Sequence, residues 1–186
     1  MPEIHTPDLT KEKSSEDSYN FEFKSSIDNI DQAVEMCLLD IKHLFSDLVI
    51  DEMEVYKIDY ALRELLVNAV SYGNLQFKKD PNKPLTAGQR QLAIEILEKE
   101  HPERAALPVK VSLARKGNVL VIRVIDQGKG FEKSEIPDPT KEGHLFNQTG
   151  RGVKISEEFL GELKTKKTSQ GFEVIVEKEM FKPQSE

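Results

Sequence analysis

Three short polar patterns in the sequence carry residue types that could bind and use a nucleotide. The first pairs Glu64 with Asn68 inside a segment whose apolar residues recur with helical spacing. Side chains four residues apart lie on one helix face, so this pair could supply a proton acceptor and an oxygen ligand for a metal ion. On its own the pair is a weak signal, because such residues usually form a solvated helix edge.

The second pattern is the turn D-x-G-x-G that runs from Asp126 to Gly130, directly after an apolar strand. A carboxylate only accepts hydrogen bonds, so Asp126 could accept one from an amino group such as the exocyclic amine of adenine. Gly128 and Gly130 would leave room for a ligand beside the backbone. An isolated turn of this kind is more often a simple polar turn.

The third pattern is Thr149, Gly150, Arg151 and Gly152, directly before a helix predicted to begin near Val153. A glycine-rich turn that opens a helix presents free N–H groups and the positive end of the helix dipole, which suits phosphate. Arg151 could add positive charge there. Taken alone, the pattern is better explained as a flexible loop that ends at a helix cap.

The elements that must position these patterns follow from hydrophobic periodicity. Alternation or a near-continuous apolar run predicts strands at 19–23, 109–113, 119–125 and 172–176. Apolar steps of three and four predict helices at 27–45, at 52–72 and from 153. No strand-helix-strand unit repeats, so a parallel sheet is not required. We predict an α+β fold, a two-layer α/β sandwich with a mostly antiparallel mixed sheet and helices on one face.

Composition divides the chain into one domain with tails. Residues 1–18 are polar and charged and are predicted to be a flexible N-terminal tail. The domain is predicted over 19–182, with an insertion at about 75–107, and 183–186 form a C-terminal tail. The insertion contains a charged helical segment with several apolar residues, namely Leu92, Ile94, Ile96 and Leu97. It is either a solvated surface helix or a segment that buries its apolar side chains, against this domain's own surface or against a protein partner. We favour a partner or dimer contact.

The overall composition excludes several classes of protein. The formal net charge of −7 argues against nucleic acid as the main partner. Cys37 is the only cysteine, so no internal disulfide or cysteine-rich zinc site is expected. The four histidines are scattered and are assigned no chemistry. No apolar run is long enough to span a membrane, and the first 20 residues lack the apolar segment of an export signal, so we expect a cytoplasmic protein.

In chain order, the three patterns resemble the N, G1 and G2 boxes of the Bergerat-fold, or histidine-kinase-like, ATPases. The resemblance covers about residues 20–180 apart from the insertion. The pairing of Glu64 with Asn68, instead of two asparagines, is most similar to the RsbW and SpoIIAB type of anti-sigma-factor serine kinase. The segment from Gly171 to Val174 also resembles the last strand of that family.

The resemblance implies that the domain uses ATP and Mg²⁺. Asn68 would be the magnesium ligand, and Glu64 would be the general base that accepts the proton of a substrate serine. Asp126 would read adenine, while Gly128 and Gly130 would shape the adenine pocket.

The resemblance assigns the phosphates to the third pattern. Gly150 and Gly152 would bind them, together with Thr149 and Arg151, and residues 131–149 would form the nucleotide lid.

Three departures from the family pattern affect the detail of the site and of the partner surface. Tyr72 stands where a histidine commonly follows the N box, and Phe172 stands where the last strand usually has a threonine near adenine. The insertion is also much longer than the connection expected there.

The resemblance implies a protein serine kinase that acts as an anti-sigma factor. Its partners would be a sigma factor and a STAS-type anti-sigma-factor antagonist, with no direct nucleic acid and no membrane, while a homodimer is left open. The alternative is a non-catalytic ATP-dependent module that binds a regulator. A sensor-kinase catalytic half or an ATP-hydrolysing topology enzyme is less favoured, because no phospho-acceptor domain is visible in the sequence.

Overall fold

A computed structural model describes residues 9–15, 17–78, 80, 85–130 and 151–180 of the chain. Six strands form one sheet: β1 (Leu9–Ser15), β2 (Ser18–Lys24), β3 (Pro108–Lys116), β4 (Val119–Asp126), β5 (Leu163–Thr168) and β6 (Gly171–Glu179). The helices are α1 (Ile30–Leu44), α2 (Glu52–Asn68), α3 (Ala87–Glu100), α4 (Pro102–Ala105) and α5 (Arg151–Leu160). A 3₁₀ turn at Ile27–Asn29 precedes α1, and a π-helical segment, Ala69–Asn74, continues α2.

The sheet has the strand order β1-β2-β3-β4-β6-β5. Within the described residues each neighbouring pair is antiparallel, so the parallel component that a mixed sheet would require does not occur there. Helices α1 and α5 contact the sheet, and α2 packs against both of them. The predicted α+β two-layer architecture is therefore confirmed.

The core lies between the helices and one face of the sheet. Alternation along the strands turns every second side chain toward the helices, as for Phe21 and Phe23 in β2 and Val109 and Val111 in β3. Cys37 on α1 is fully buried in the same core. Burial of each large apolar side chain stabilises the fold by about 1.5–3 kcal/mol. Among the described helices, none is both long and apolar enough to cross a membrane.

The predicted flexible tail at residues 1–18 contains a strand, which corrects that prediction for β1. Its backbone pairs antiparallel with β2, with Leu9 opposite Phe23 and Ser15 opposite Ser18. Pairing at a sheet edge uses backbone N–H and C=O groups, so it does not need the apolar alternation that sequence reading detects. Residues 1–8 lie outside the described part of the chain.

The insertion packs on its own domain through one face of α3. Ile94 is 1% exposed and belongs to the core. One turn later, the Glu98 carboxylate accepts hydrogen bonds from Ser26 Oγ at 3.0 Å and from Ile27 N at 2.8 Å, at the start of the 3₁₀ turn. Leu92 remains 57% exposed on the same helix. The expectation of burial is therefore met at Ile94 within the domain itself, while a partner contact stays a prediction.

We expect Ile94→Ala to lower the free energy of unfolding by about 2–4 kcal/mol, because it leaves a cavity in a closed core. The matched control Leu92→Ala removes a similar side chain from the exposed face and should change the free energy by less than about 0.5 kcal/mol. Urea denaturation followed by circular dichroism measures both. Equal effects of the two changes would show that α3 does not share the domain's core.

Candidate nucleotide-binding site

Helix α2 positions the first pattern. Its first turn is capped by Asp51, whose Oδ1 accepts from Glu54 N at 2.8 Å. The apolar stripe that includes Ile58 and Leu62 is buried in the core. Glu64 and Asn68 remain half-buried at the C-terminal end of the helix, one turn apart.

The π-helical segment that follows Asn68 brings the second pattern against the first. A Cβ added to Gly73 would lie 2.5 Å from Asp126 Cγ, and one added to Gly128 would lie 2.6 Å from Gly73 Cα. A side chain at Gly73 would require the Asp126 side chain to move, and one at Gly128 would require the backbone to move. Because π-helical turns inside α-helices occur frequently at functional sites, this close approach marks the end of α2 as a candidate site.

Asp126 is the most strongly perturbed carboxyl group of this site. It is 6% exposed at the end of β4, and its Oδ1 accepts from Gly128 N at 2.7 Å. Burial raises the pKa of Asp126 to about 6, although the hydrogen bond from Gly128 opposes that rise. The group is therefore mostly ionised at neutral pH and can accept a further hydrogen bond from an amino group.

Phe172 and Gly130 lie beside Asp126. Phe172 is directly opposite Asp126 in the pairing of β4 with β6. Gly130 has a φ of +75°, and a Cβ there would collide with the Phe172 ring. Phe172 therefore supplies an apolar wall next to the carboxylate, with no hydroxyl of its own.

The third pattern reaches the first through Gly152 and Glu64. A Cβ on Gly152 would collide with Glu64 Oε2, so the start of α5 lies against the Glu64 carboxylate. Farther along the two helices, the rings of Tyr60 and Phe159 meet edge to face with centroids 5.9 Å apart. Burial, and then the charge of Glu64, raises the pKa of Tyr60, so its hydroxyl stays protonated near neutral pH.

Part of the third pattern lies outside the described residues. These are Thr149 and Gly150, together with the predicted lid at 131–149. The backbone of Arg151 begins α5, but its side chain is not among those described. The structure thus places Glu64 against Gly152 and, separately, groups Asp126, Gly128 and Gly130 at the end of β4, while Asn68 lies one turn from Glu64. The binding and catalytic roles of these residues, and of Thr149, Gly150 and Arg151, remain predictions.

The sequence predicts a second helix that ends at residue 72, before Gly73 and Asn74, and gives Gly171 no role except as the start of a strand. In the structure, Gly73 makes room for Asp126, and Asn74 hydrogen-bonds to the backbone of the turn after β4. Gly171 has a φ of +134°, and a Cβ there would collide with the carbonyl oxygen of Asp126. The sequence did offer a signal, namely Gly73 and Asn74 at the end of an apolar helix. Their role could not be predicted from it, because the residues that they contact lie far away in the chain.

The described residues contain no group of three or more His, Cys, Asp or Glu side chains that could hold a metal ion. Near the start of α5, oxygen ligands for a metal ion could come from Glu64 and from Asn68, which lies one turn from Glu64 on α2. Mg²⁺ commonly binds through one or two protein oxygens and completes its shell with phosphate oxygens and water. The residues present therefore fit a magnesium ion carried by phosphates, and the assignment of Asn68 as its protein ligand stays a prediction.

Comparison with protein families identifies the family of this domain. The family model described as "Histidine kinase-like ATPase domain" matches residues 29–178, which is more than half of the chain. The chain belongs to the histidine kinase-like ATPase family. The matched range of this ATPase domain includes Glu64, Asn68, Asp126 and Gly152, and membership supports ATP binding. A search among curated proteins gives no match.

We expect Asp126→Asn to stabilise the nucleotide-free ATPase domain at pH 7. The folded-state pKa lies above the ordinary value, so the ionised carboxyl group is unfavourable in the fold. The cost in folding free energy of ionising the buried carboxyl group is absent below about pH 4. This cost grows as the pH rises through about 6. The rise from 3.8 to about 6 corresponds to roughly 3 kcal/mol. Asparagine still accepts from Gly128 N, so urea denaturation should show a gain of about 1–3 kcal/mol at pH 7 and little change at pH 4.

The control for this prediction is Asp47→Asn. The hydrogen bond from Arg115 lowers the pKa of Asp47, so this carboxylate stabilises the fold above its ordinary pKa and loses that effect as the pH falls. Its removal should change the stability at pH 7 in the opposite direction. If Asp126→Asn also destabilised the domain at pH 7, burial of Asp126 would not be costly.

Proposed function

We propose that this domain is an ATP-dependent protein serine kinase that acts as an anti-sigma factor and phosphorylates a STAS-type antagonist protein in a partner-switching system. The observation that carries the proposal is the contact between Glu64 and Gly152. It sets a carboxylate beside the N-terminus of α5, and phosphates bind favourably at helix N-termini. A module that only binds ATP would not need a carboxylate there.

One end of the proposed site would recognise the base of ATP, and the other end would bind the phosphates and carry out the transfer. At the β4 end, the carboxylate of Asp126 would accept from the adenine amine, next to the apolar wall of Phe172. At the α5 end, the turn with Gly150 and Gly152 would hold the phosphates through backbone N–H groups. Mg²⁺, when bound, would neutralise phosphate charge, with the Asn68 amide oxygen as its protein ligand.

In the proposed transfer, Glu64 accepts the proton of the substrate serine as the serine oxygen forms its bond to the γ-phosphorus of ATP. The bond from the γ-phosphorus to the oxygen that bridges to the β-phosphate breaks, and ADP leaves with that bonding pair. Tyr60, one turn before Glu64, would remain a neutral neighbour, because its pKa is raised. The products are phosphoserine and ADP, and the protein retains no covalent intermediate.

Base selectivity tests the assignment of Asp126. Guanine presents a carbonyl oxygen where adenine presents an amine, so the wild-type domain should prefer ATP over GTP by roughly 10- to 100-fold. Asp126→Asn should weaken ATP and narrow or reverse that preference, because an amide N–H can donate to the guanine oxygen. Isothermal titration calorimetry with both nucleotides measures this. Equal affinities in the wild-type protein, or an unchanged preference in the variant, would refute the assignment.

Binding and chemistry can be separated at Glu64 and Asn68. A general base acts mainly in the transition state, so Glu64→Ala should keep ATP affinity and slow transfer by roughly 10²- to 10⁴-fold. Asn68→Ala should lower both the ATP affinity and the rate of transfer, since a metal ligand also holds the ground-state phosphates. The matched control is Glu52→Gln, an exposed carboxylate in the first turn of the same helix, which should change neither.

The measurement is phosphate transfer from radiolabelled ATP to a STAS-type protein co-purified with the domain, with the modified serine mapped by mass spectrometry. Full activity of Glu64→Ala would exclude Glu64 as the base. ATP-dependent capture of the regulator without any transfer by the wild-type protein would support the non-catalytic binding module instead.

A further inference from the structure

Asn74 is a buried amide whose polar atoms contact three separate parts of the chain. It is 1% exposed at the end of the π-helical segment. Its Oδ1 accepts from Gln127 N at 2.5 Å, and its Nδ2 donates to Ser25 Oγ at 2.6 Å and to Pro108 O at 3.1 Å. A backbone N–H can only donate and a backbone carbonyl can only accept, so these partners together require an amide in one orientation.

The first contact of Asn74 holds the turn that follows Asp126. Gln127 N–H donates to Asn74, and the next N–H, of Gly128, donates to Asp126 Oδ1. The Gln127 side chain is exposed, and its Nε2 donates to Gln170 O at 2.7 Å. The direction in which Asp126 presents its second oxygen therefore depends on a backbone that Asn74 fixes from the core side.

The other contacts of Asn74 lie where the insertion rejoins the sheet. Pro108 begins β3, directly after the insertion, and Asn74 directly precedes the insertion. Ser25 also holds the end of the insertion, because its N and its Oγ both donate to Leu107 O, at 3.1 and 2.7 Å. One side chain thus joins the two ends of the insertion to the turn that follows Asp126.

We propose that Asn74 is a positioning residue for base recognition. Its amide holds the turn after β4 so that Asp126 faces the base, and it links this turn to the end of the insertion. The inference rests on the proposed role of Asp126 in reading adenine. A merely structural Asn74 would affect stability without changing the discrimination between adenine and guanine.

The test compares the ratio of ATP affinity to GTP affinity in the full-length wild-type protein and four variants by calorimetry. Asn74→Ala removes the acceptor for Gln127 N–H and should lower the ratio at least fivefold, toward that of Asp126→Asn. Asn74→Asp keeps an oxygen acceptor in either protonation state and should retain most of the ratio. Ser25→Ala loosens the same buried cluster without touching Gln127, so it serves as the matched control and should leave the ratio unchanged.

The outcomes separate this inference from the assignment on which it rests. If Asp126→Asn changes the ratio and Asn74→Ala does not, or if Ser25→Ala lowers it as much as Asn74→Ala, the inference about Asn74 is wrong. If Asp126→Asn leaves the ratio unchanged, the assignment of Asp126 is wrong and the inference fails with it.

A measurement on the wild-type protein covers the case in which Asn74→Ala does not fold. Hydrogen exchange should show the Gln127 amide protected, and exchange as fast as in an unstructured peptide would overturn the proposal.

Discussion

The close approach of the π-helical segment to the end of β4 is the constraint on which the candidate site depends. Gly73 and Gly128 leave no room for a β-carbon between them, and the Asp126 carboxyl group is enclosed at this contact. Enclosure raises its pKa, so the fold holds an ionised group at a cost in free energy. A group that weakens the fold but is ready to accept a hydrogen bond is typical of a binding site.

The opposite end of the site is built differently. Glu64 and Asn68 are half-buried on a helix whose other face forms the core, and the first turn of α5 approaches the Glu64 carboxylate at Gly152. Here the fixed elements are helices, whose packing positions side chains more rigidly than loops do. An enclosed carboxyl group at one end and a helix N-terminus at the other match the two chemical parts of a nucleotide, an uncharged base and anionic phosphates.

The insertion is part of this arrangement and not a separate appendage. Ile94 fills the domain's core, Glu98 binds the start of the 3₁₀ turn before α1, and Asn74 joins the ends of the insertion to the Asp126 turn. Leu92 lies on the exposed face of α3, and the apolar side chains of this helix are the feature that led us to expect a partner. The insertion therefore contacts the core, and Asn74 links its ends to the turn after β4, while one apolar face of α3 remains exposed.

The sequence by itself determined the three polar patterns, the principal helices and the core strands, because periodicity records which face of each element is buried. It placed Glu64 one turn from Asn68 and Asp126 at the end of a strand. It missed β1 and β5, the two edge strands, since edge pairing is made by backbone groups and leaves little trace in side-chain pattern. Only the tertiary structure decided what surrounds Asp126 and what Asn74 holds. Those contacts join residues distant in the sequence, 53 positions apart for Asn74 and Gln127, and burial by distant elements sets a pKa that no local pattern encodes.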